Sequence, residues 1–219
     1  MSLSPAPTGE LERLAEARFW ASVAAPDQFF EAEAEHISEA CLAMARRFHR
    51  GGRLLAFGAG KAVTDALHVS VEFVHPVIVG KRALPAIALG ADLGSTLGLV
   101  SAGAGQAVYA EQIAALGRSD DIAMGIDPTG VDPAVRAGLQ AAAAQGLLTI
   151  SLAAAGSGAP PHVDFAFAVE ADDPAVIQET HETLYHILWE LVHVFFEHPS
   201  LLAAAVETVP VKESVYGSD

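Results

Sequence analysis

The chain has 219 residues, with 12 Lys+Arg against 27 Asp+Glu for a formal net charge of −15, and 52% of its residues are hydrophobic. That length and composition suit one folded domain and exclude a disordered chain, while the charge argues against a phosphate-backbone grip on nucleic acid or docking on an anionic membrane. A single cysteine (Cys41), no basic-then-apolar leader in MSLSPAPTGELERL and no apolar run near the roughly 20 residues of a membrane span lead us to expect a soluble cytoplasmic protein.

In chain order, residues 10–50 read as two helical stretches. Leu11, Leu14, Ala15 and Arg18 recur at helical spacing up to Pro26; Asp27 then caps a second stretch that Gly51-Gly52 stops. The pattern next changes to short apolar runs that end in glycine or turn residues. These runs are 53–57, 85–89, 121–126, 147–152 and 164–169, with helix-like segments between them, including an Ala-rich one over 133–145. A final helix is expected from Asp173 to Glu197, with Asp173 as its cap and Pro174 in its first turn; residues 210–219 read as a tail. Strands alternating with helices predict an α/β fold: a five-stranded parallel sheet, flavodoxin-like, covered on both faces. Ligands of such sheets bind beyond the carboxyl ends of the strands, which singles out the loops 58–64, 90–96 and 127–132.

Two clusters carry residues suited to chemistry. His68 and Glu72 are four apart, so on a helix they share a face and can bind one metal ion or work as an acid/base pair; a semi-buried His–Glu pair has the same spacing. Gln178, Glu182 and His186 recur every four residues on the last helix. His181-Glu182 begins like a zinc-protease helix, but Tyr185 stands where the second His would be. His193 and His198 read as part of a solvated face, and His36, His49, His75 and His162 are isolated.

Gly58-Ala59-Gly60 after a strand, Asp65-Ala66-Leu67-His68 with Glu72, Leu84 to Leu89, and Ile177-Gln178-Glu179 with His181 and His186 together resemble the phosphoheptose isomerase branch of the sugar isomerase (SIS) domain family. The similarity runs over about residues 28–197, with the motifs in the same order. Tyr109 to Gly117 is also similar to the replication-initiator-associating proteins, a non-catalytic sister group. The resemblance implies zinc at His68, Glu72, Gln178 and His186, with Glu72 and His186 as the acid/base pair for aldose–ketose isomerisation. It further implies substrate contacts from Asp92, a small-molecule sugar or sugar phosphate as substrate, and a homotetramer to which the N-terminal helices contribute.

The phosphate-binding loops depart from that pattern. Ala59 and Ala62 replace the usual Asn and Ser, Lys61 stands where a small residue is usual, and the Ser/Thr-rich loop becomes Asp127-Pro128-Thr129-Gly130-Val131-Asp132. Only Lys61, Thr129 and Gly130 are left as candidates to hold the phosphate end. A carboxylate at a helix start competes for the positive potential that a phosphate would use, and Asp132-Pro133 also reads as an ordinary N-cap with proline at N1. The expectation is therefore a zinc-type isomerase whose substrate is non-standard. The alternative is a non-catalytic metal-binding or scaffold protein on the same fold.

Overall fold

The computed structural model describes residues 8–76, 78–198 and 200–202; the tail expected at 210–219 lies outside the described residues. The sheet is formed by β1 (Leu54–Gly58), β2 (Ala86–Ala88), β3 (Ile122–Asp127), β4 (Leu148–Ala154) and β5 (Phe165–Val169). The order is β2-β1-β3-β4-β5, every neighbouring pair is parallel, and Ala56 aligns with both Ala88 and Met124. This is the flavodoxin-like α/β architecture expected from the apolar runs, with each strand within one or two residues of its predicted span.

Alternation along the strands divides the core. Leu54, Ala56, Ile122, Met124 and Ile150 face one side, where α1 (Thr8–His49), α2 (Val63–Val74) and α6 (Pro174–Glu197) pack. Leu55, Phe57 and Ala123 face the other, under α4 (Val108–Leu116) and α5 (Pro133–Ala144). Asp132 caps α5 and Asp173 caps α6, each with proline just inside.

Two expectations are corrected. The N-terminal region is one continuous helix of 42 residues, with Pro26 inside it. Proline removes a backbone hydrogen bond and costs about 3 kcal/mol in a helix interior, but α1 is anchored on both sides of it. Beyond Pro26, Phe29, Ile37, Ala40, Cys41 and Met44 are buried in the core. Before it, Arg18 Nη2 donates to Glu179 Oε1 (2.6 Å) and Ser22 Oγ to Glu179 Oε2 (2.7 Å) on α6. His193, expected on a solvated face, is buried, its ring nitrogens 2.8 Å from the Trp189 carbonyl oxygen and 2.9 Å from that of Arg82. A further helix, α3 (Leu93–Ser101), follows β2 with none of its residues buried.

Candidate functional site

β1 and β3 are neighbours whose following helices, α2 and α5, lie on opposite faces of the sheet, so a crevice opens where their loops part. The turn out of β1 is tight: a side chain at Gly58 would meet the Ala62 carbonyl oxygen at 2.3 Å. From there α2 buries Ala66, Val69 and Phe73, leaves Leu67, Val71 and Val74 exposed, and turns Asp65, His68 and Glu72 toward α6.

α6 answers with Gln178, Glu182, Tyr185 and His186. His68 Nε2 lies 3.3 Å from Glu72 Oε1 and 3.4 Å from His186 Nε2. On its other side, His68 Nδ1 lies 2.9 Å from the Tyr185 hydroxyl and 3.5 Å from Glu182 Oε1. Ligand atoms of His68, Glu182 and His186 all fall within 4.8 Å of one another. A tetrahedral ion with bonds of about 2.05 Å spaces its ligand atoms by about 3.3–3.4 Å, so the 3.4 Å between the two imidazoles fits one edge of such a polyhedron. Burial, followed by the carboxylates of Glu182, Asp65 and Glu72, raises the Tyr185 phenol above its ordinary value, so it stays a neutral hydroxyl.

Gln178 is oriented by Asp65. Its amide nitrogen donates to both carboxylate oxygens, at 3.1 and 2.9 Å, leaving the amide oxygen as its only acceptor. Burial lifts the Asp65 carboxyl above the usual range against the pull of those hydrogen bonds. His181 lies deeper: it is fully buried, its Nε2 is 3.2 Å from the Ala153 carbonyl oxygen, and burial pushes its pKa down to about 4. It is a neutral packing residue, not a candidate ligand.

A cavity of about 350 Å³ adjoins this cluster, lined by Lys61 and its neighbours after β1, by Asp127, Thr129 and Asp132 after β3, and by Gln178. Gln178 links the two regions, lining the cavity one turn before Glu182. Gly130 does not line it. This residue is buried at φ +70°, where an added Cβ would lie 2.0 Å from Ser157 Oγ, so glycine is required by the turn. Asp92 also lies elsewhere: it caps α3, accepting from Gly94 N (3.0 Å) and Ser95 Oγ, and lines a separate, largely apolar cavity between β2 and α4.

The fold finds its counterpart among known proteins: the SIS domain family matches residues 19–154. The chain belongs to the SIS domain family. A phosphoheptose isomerase of Thermodesulfovibrio yellowstonii is 38% identical over 181 residues, spanning 82% of this chain and 90% of its own. One from Solidesulfovibrio magneticus is 36% identical over 177 residues, spanning 80% and 87%. The solved phosphoheptose isomerase of Francisella tularensis superposes with a TM-score of 0.77 at 25% identity, covering 84% of this chain and 98% of that one.

Within this SIS domain, the sequence motifs supplied His68, Glu72, Gln178 and His186, and the structure sets all four on the facing surfaces of α2 and α6. Sequence reading passed over Glu182, Asp65 and Tyr185 as members of the site. Spacing held a signal for Glu182, which is four residues from both Gln178 and His186. No spacing rule points to Tyr185, which reaches His68 across the interface between the two helices.

Proposed function

We propose that this SIS domain is a metal-dependent aldose–ketose isomerase acting on a sugar or sugar-like substrate. The observation that carries the reading is the convergence of His68 and His186 with two carboxylates, Glu72 and Glu182, beside a cavity at the carboxyl ends of β1 and β3. His68, Glu182 and His186 would hold the ion, zinc by family resemblance, with the Gln178 amide oxygen within the same row of α6. When bound, such an ion polarises the carbonyl and hydroxyl oxygens of the substrate.

Proton transfer then falls to the chain. Glu72 takes the proton from the carbon beside the carbonyl and returns it to the neighbouring carbon, and across the enediol stage the hydroxyl proton passes to the former carbonyl oxygen. His186, as a ligand, gives up the acid role that the resemblance implies. A carboxylate bound to a metal is a weaker base. With Glu182 available as the ligand carboxylate, Glu72 is free for that work.

Assembly as a homo-oligomer, a tetramer by resemblance, is part of the same reading. It is supported by apolar surface left uncovered at Phe19 and Trp20 on α1, at Leu67, Val71 and Val74 on α2, and at Leu93 and Leu97 on α3. We place the protein in the cytoplasm, where the buried thiol of Cys41 would stay reduced. No helix among the described residues is long and apolar enough to cross a membrane.

The test is metal analysis of untagged protein followed by an isomerisation assay. We expect about one transition ion per subunit, and little or no turnover of sedoheptulose 7-phosphate. Protein that ignores added zinc would overturn the reading. Metal binding without turnover of any aldose or ketose would favour the second reading, a metal-binding accessory protein, which the closed loop after β3 also suits.

A further inference from the structure

We propose that Asp127 is a specificity-determining residue: its carboxylate fills the loop after β3 as a built-in anion, so that the adjoining cavity takes the unphosphorylated, hydroxyl-bearing end of a sugar. The proposal names the substrate class of the site above and rests on the isomerase reading. A loop leading into a helix binds phosphate through backbone N–H groups that have no other acceptor. Here each such group between β3 and the first turn of α5 is accounted for.

Thr129 N–H and the Thr129 hydroxyl donate to Asp127 Oδ1 at 2.9 and 2.7 Å, and Asp132 N–H donates to Asp127 Oδ2 at 2.7 Å. Gly130 N–H donates to the Asp127 carbonyl oxygen at 2.9 Å, and Val131 N–H makes the longest contact, 3.4 Å to Thr129 Oγ1. Ala134 and Val135 N–H groups donate to Asp132 Oδ1 at 2.9 and 3.0 Å, and Arg136 N–H to the Asp132 carbonyl oxygen at 3.1 Å. Pro128 and Pro133 have no N–H to give.

Asp127 is not a side chain that can swing aside. It is the last residue of β3, paired with Ala153 of β4, and only 3% exposed. A phosphate entering the loop would have to break charge-assisted hydrogen bonds and then sit against a buried carboxylate. The nearby guanidinium is turned elsewhere: Arg136 donates through Nε and Nη2 to the carbonyl oxygens of Gly130, Ser157 and Gly158 and is not among the residues lining the cavity. Among the residues lining the cavity, Lys61 is the one cation, against Asp127 and Asp132. What the cavity offers instead suits hydroxyl groups: the exposed Thr129, the Asp132 carboxylate, the Gln178 amide and Lys61.

Calorimetric titration with inorganic phosphate tests this without any turnover. Wild type should show no binding in the millimolar range. Asp127→Ser frees the loop's donors and removes the charge, and should bind phosphate at least about tenfold more tightly. Asp127→Asn keeps the shape and should gain a smaller part of that affinity, which guards against a serine variant that fails to fold. In parallel, metal-loaded wild type should bind sedoheptulose in preference to sedoheptulose 7-phosphate, and Asp127→Ser should narrow or reverse that order. Phosphate binding by wild type equal to that of the variants, or a folded Asp127→Asn with no gain, would overturn the proposal. A protein that turns over neither sugar would remove the isomerase reading alone, because the phosphate titration is read independently.

Discussion

The hydroxyl of Tyr185 lies 2.9 Å from Nδ1 of His68, while Nε2 of the same ring faces Glu72 and His186. A histidine that binds a metal through one nitrogen has its tautomer fixed by the partner of the other. Tyr185, buried and held as a neutral phenol, can accept from His68 Nδ1–H and leave the Nε2 lone pair for the ion. Tyr185→Phe should therefore lower metal affinity by roughly 10–100-fold with little change in fold, as measured by competition with a chromogenic chelator. Unchanged affinity would show that the hydroxyl has no part in setting the ring.

The two carboxylates beside His68 should separate by role. Glu182→Gln removes one of the three candidate ligands that lie within 4.8 Å of one another and should weaken metal retention during chelator dialysis. Glu72→Gln should keep most of the metal and lose isomerisation by about 10²-fold or more, the usual scale for a general base. Equal metal loss in both variants would return Glu72 to the ligand set. Stripping the ion from wild type with a chelator should abolish turnover, and added zinc should restore it.

Asp65 acts on the site through Gln178, whose amide nitrogen it holds with both oxygens. Asp65→Ala lets that amide rotate. We expect metal affinity to fall by about tenfold, on the scale of lost outer-shell partners, and Asp65→Asn to recover part of it through the oxygen it retains. Metal content measured at matched free zinc checks both, and an Asp65→Ala variant with full affinity would count against the positioning role.

The strands and the metal-type face were legible because they depend on local pattern. Apolar runs such as 121–126 bury every residue of a parallel strand, and His68, Glu72, Gln178 and His186 each stand on a helix whose period fixes their direction. What escaped the sequence depends on contacts distant in the chain. Pro26 reads as a helix end until the grip of Glu179 on Arg18 and Ser22 is seen. α3 contains Gly94 and Gly98 and buries nothing, so it has no amphipathic period to detect. The Asp127–Asp132 loop was readable as hostile to phosphate from its charges, but the engagement of each N–H group is visible only in three dimensions.

His193 separates packing from metal chemistry on α6. It is buried beside Trp189, and its two ring nitrogens meet carbonyl oxygens of Trp189 and Arg82. His193→Ala should leave metal content unchanged. It should also destabilise the protein by about 2 kcal/mol, through a cavity and at least one unpaired buried carbonyl. A shift in the urea midpoint at constant metal loading is the expected result, and loss of metal would mean that the cluster extends further along α6 than the geometry indicates.

Cys41 is buried between α1 and α6, its sulfur 4.0 Å from the Leu188 carbonyl oxygen, and burial pushes the thiol pKa up to about 12. A free thiol titrates near 8.5 and reacts as its thiolate, so at pH 8 the folded protein holds far less of the reactive form than an exposed cysteine would. The direction follows from the charge: raising the pH from 7 to 9 multiplies that small fraction but leaves the folded thiol overwhelmingly protonated and shielded. Labelling with a thiol-specific disulfide reagent should be negligible under native conditions and stoichiometric in denaturant. In intermediate denaturant its rate should rise in step with the unfolded fraction. Prompt labelling of native protein would show that α1 separates from α6 in an opening much smaller than global unfolding.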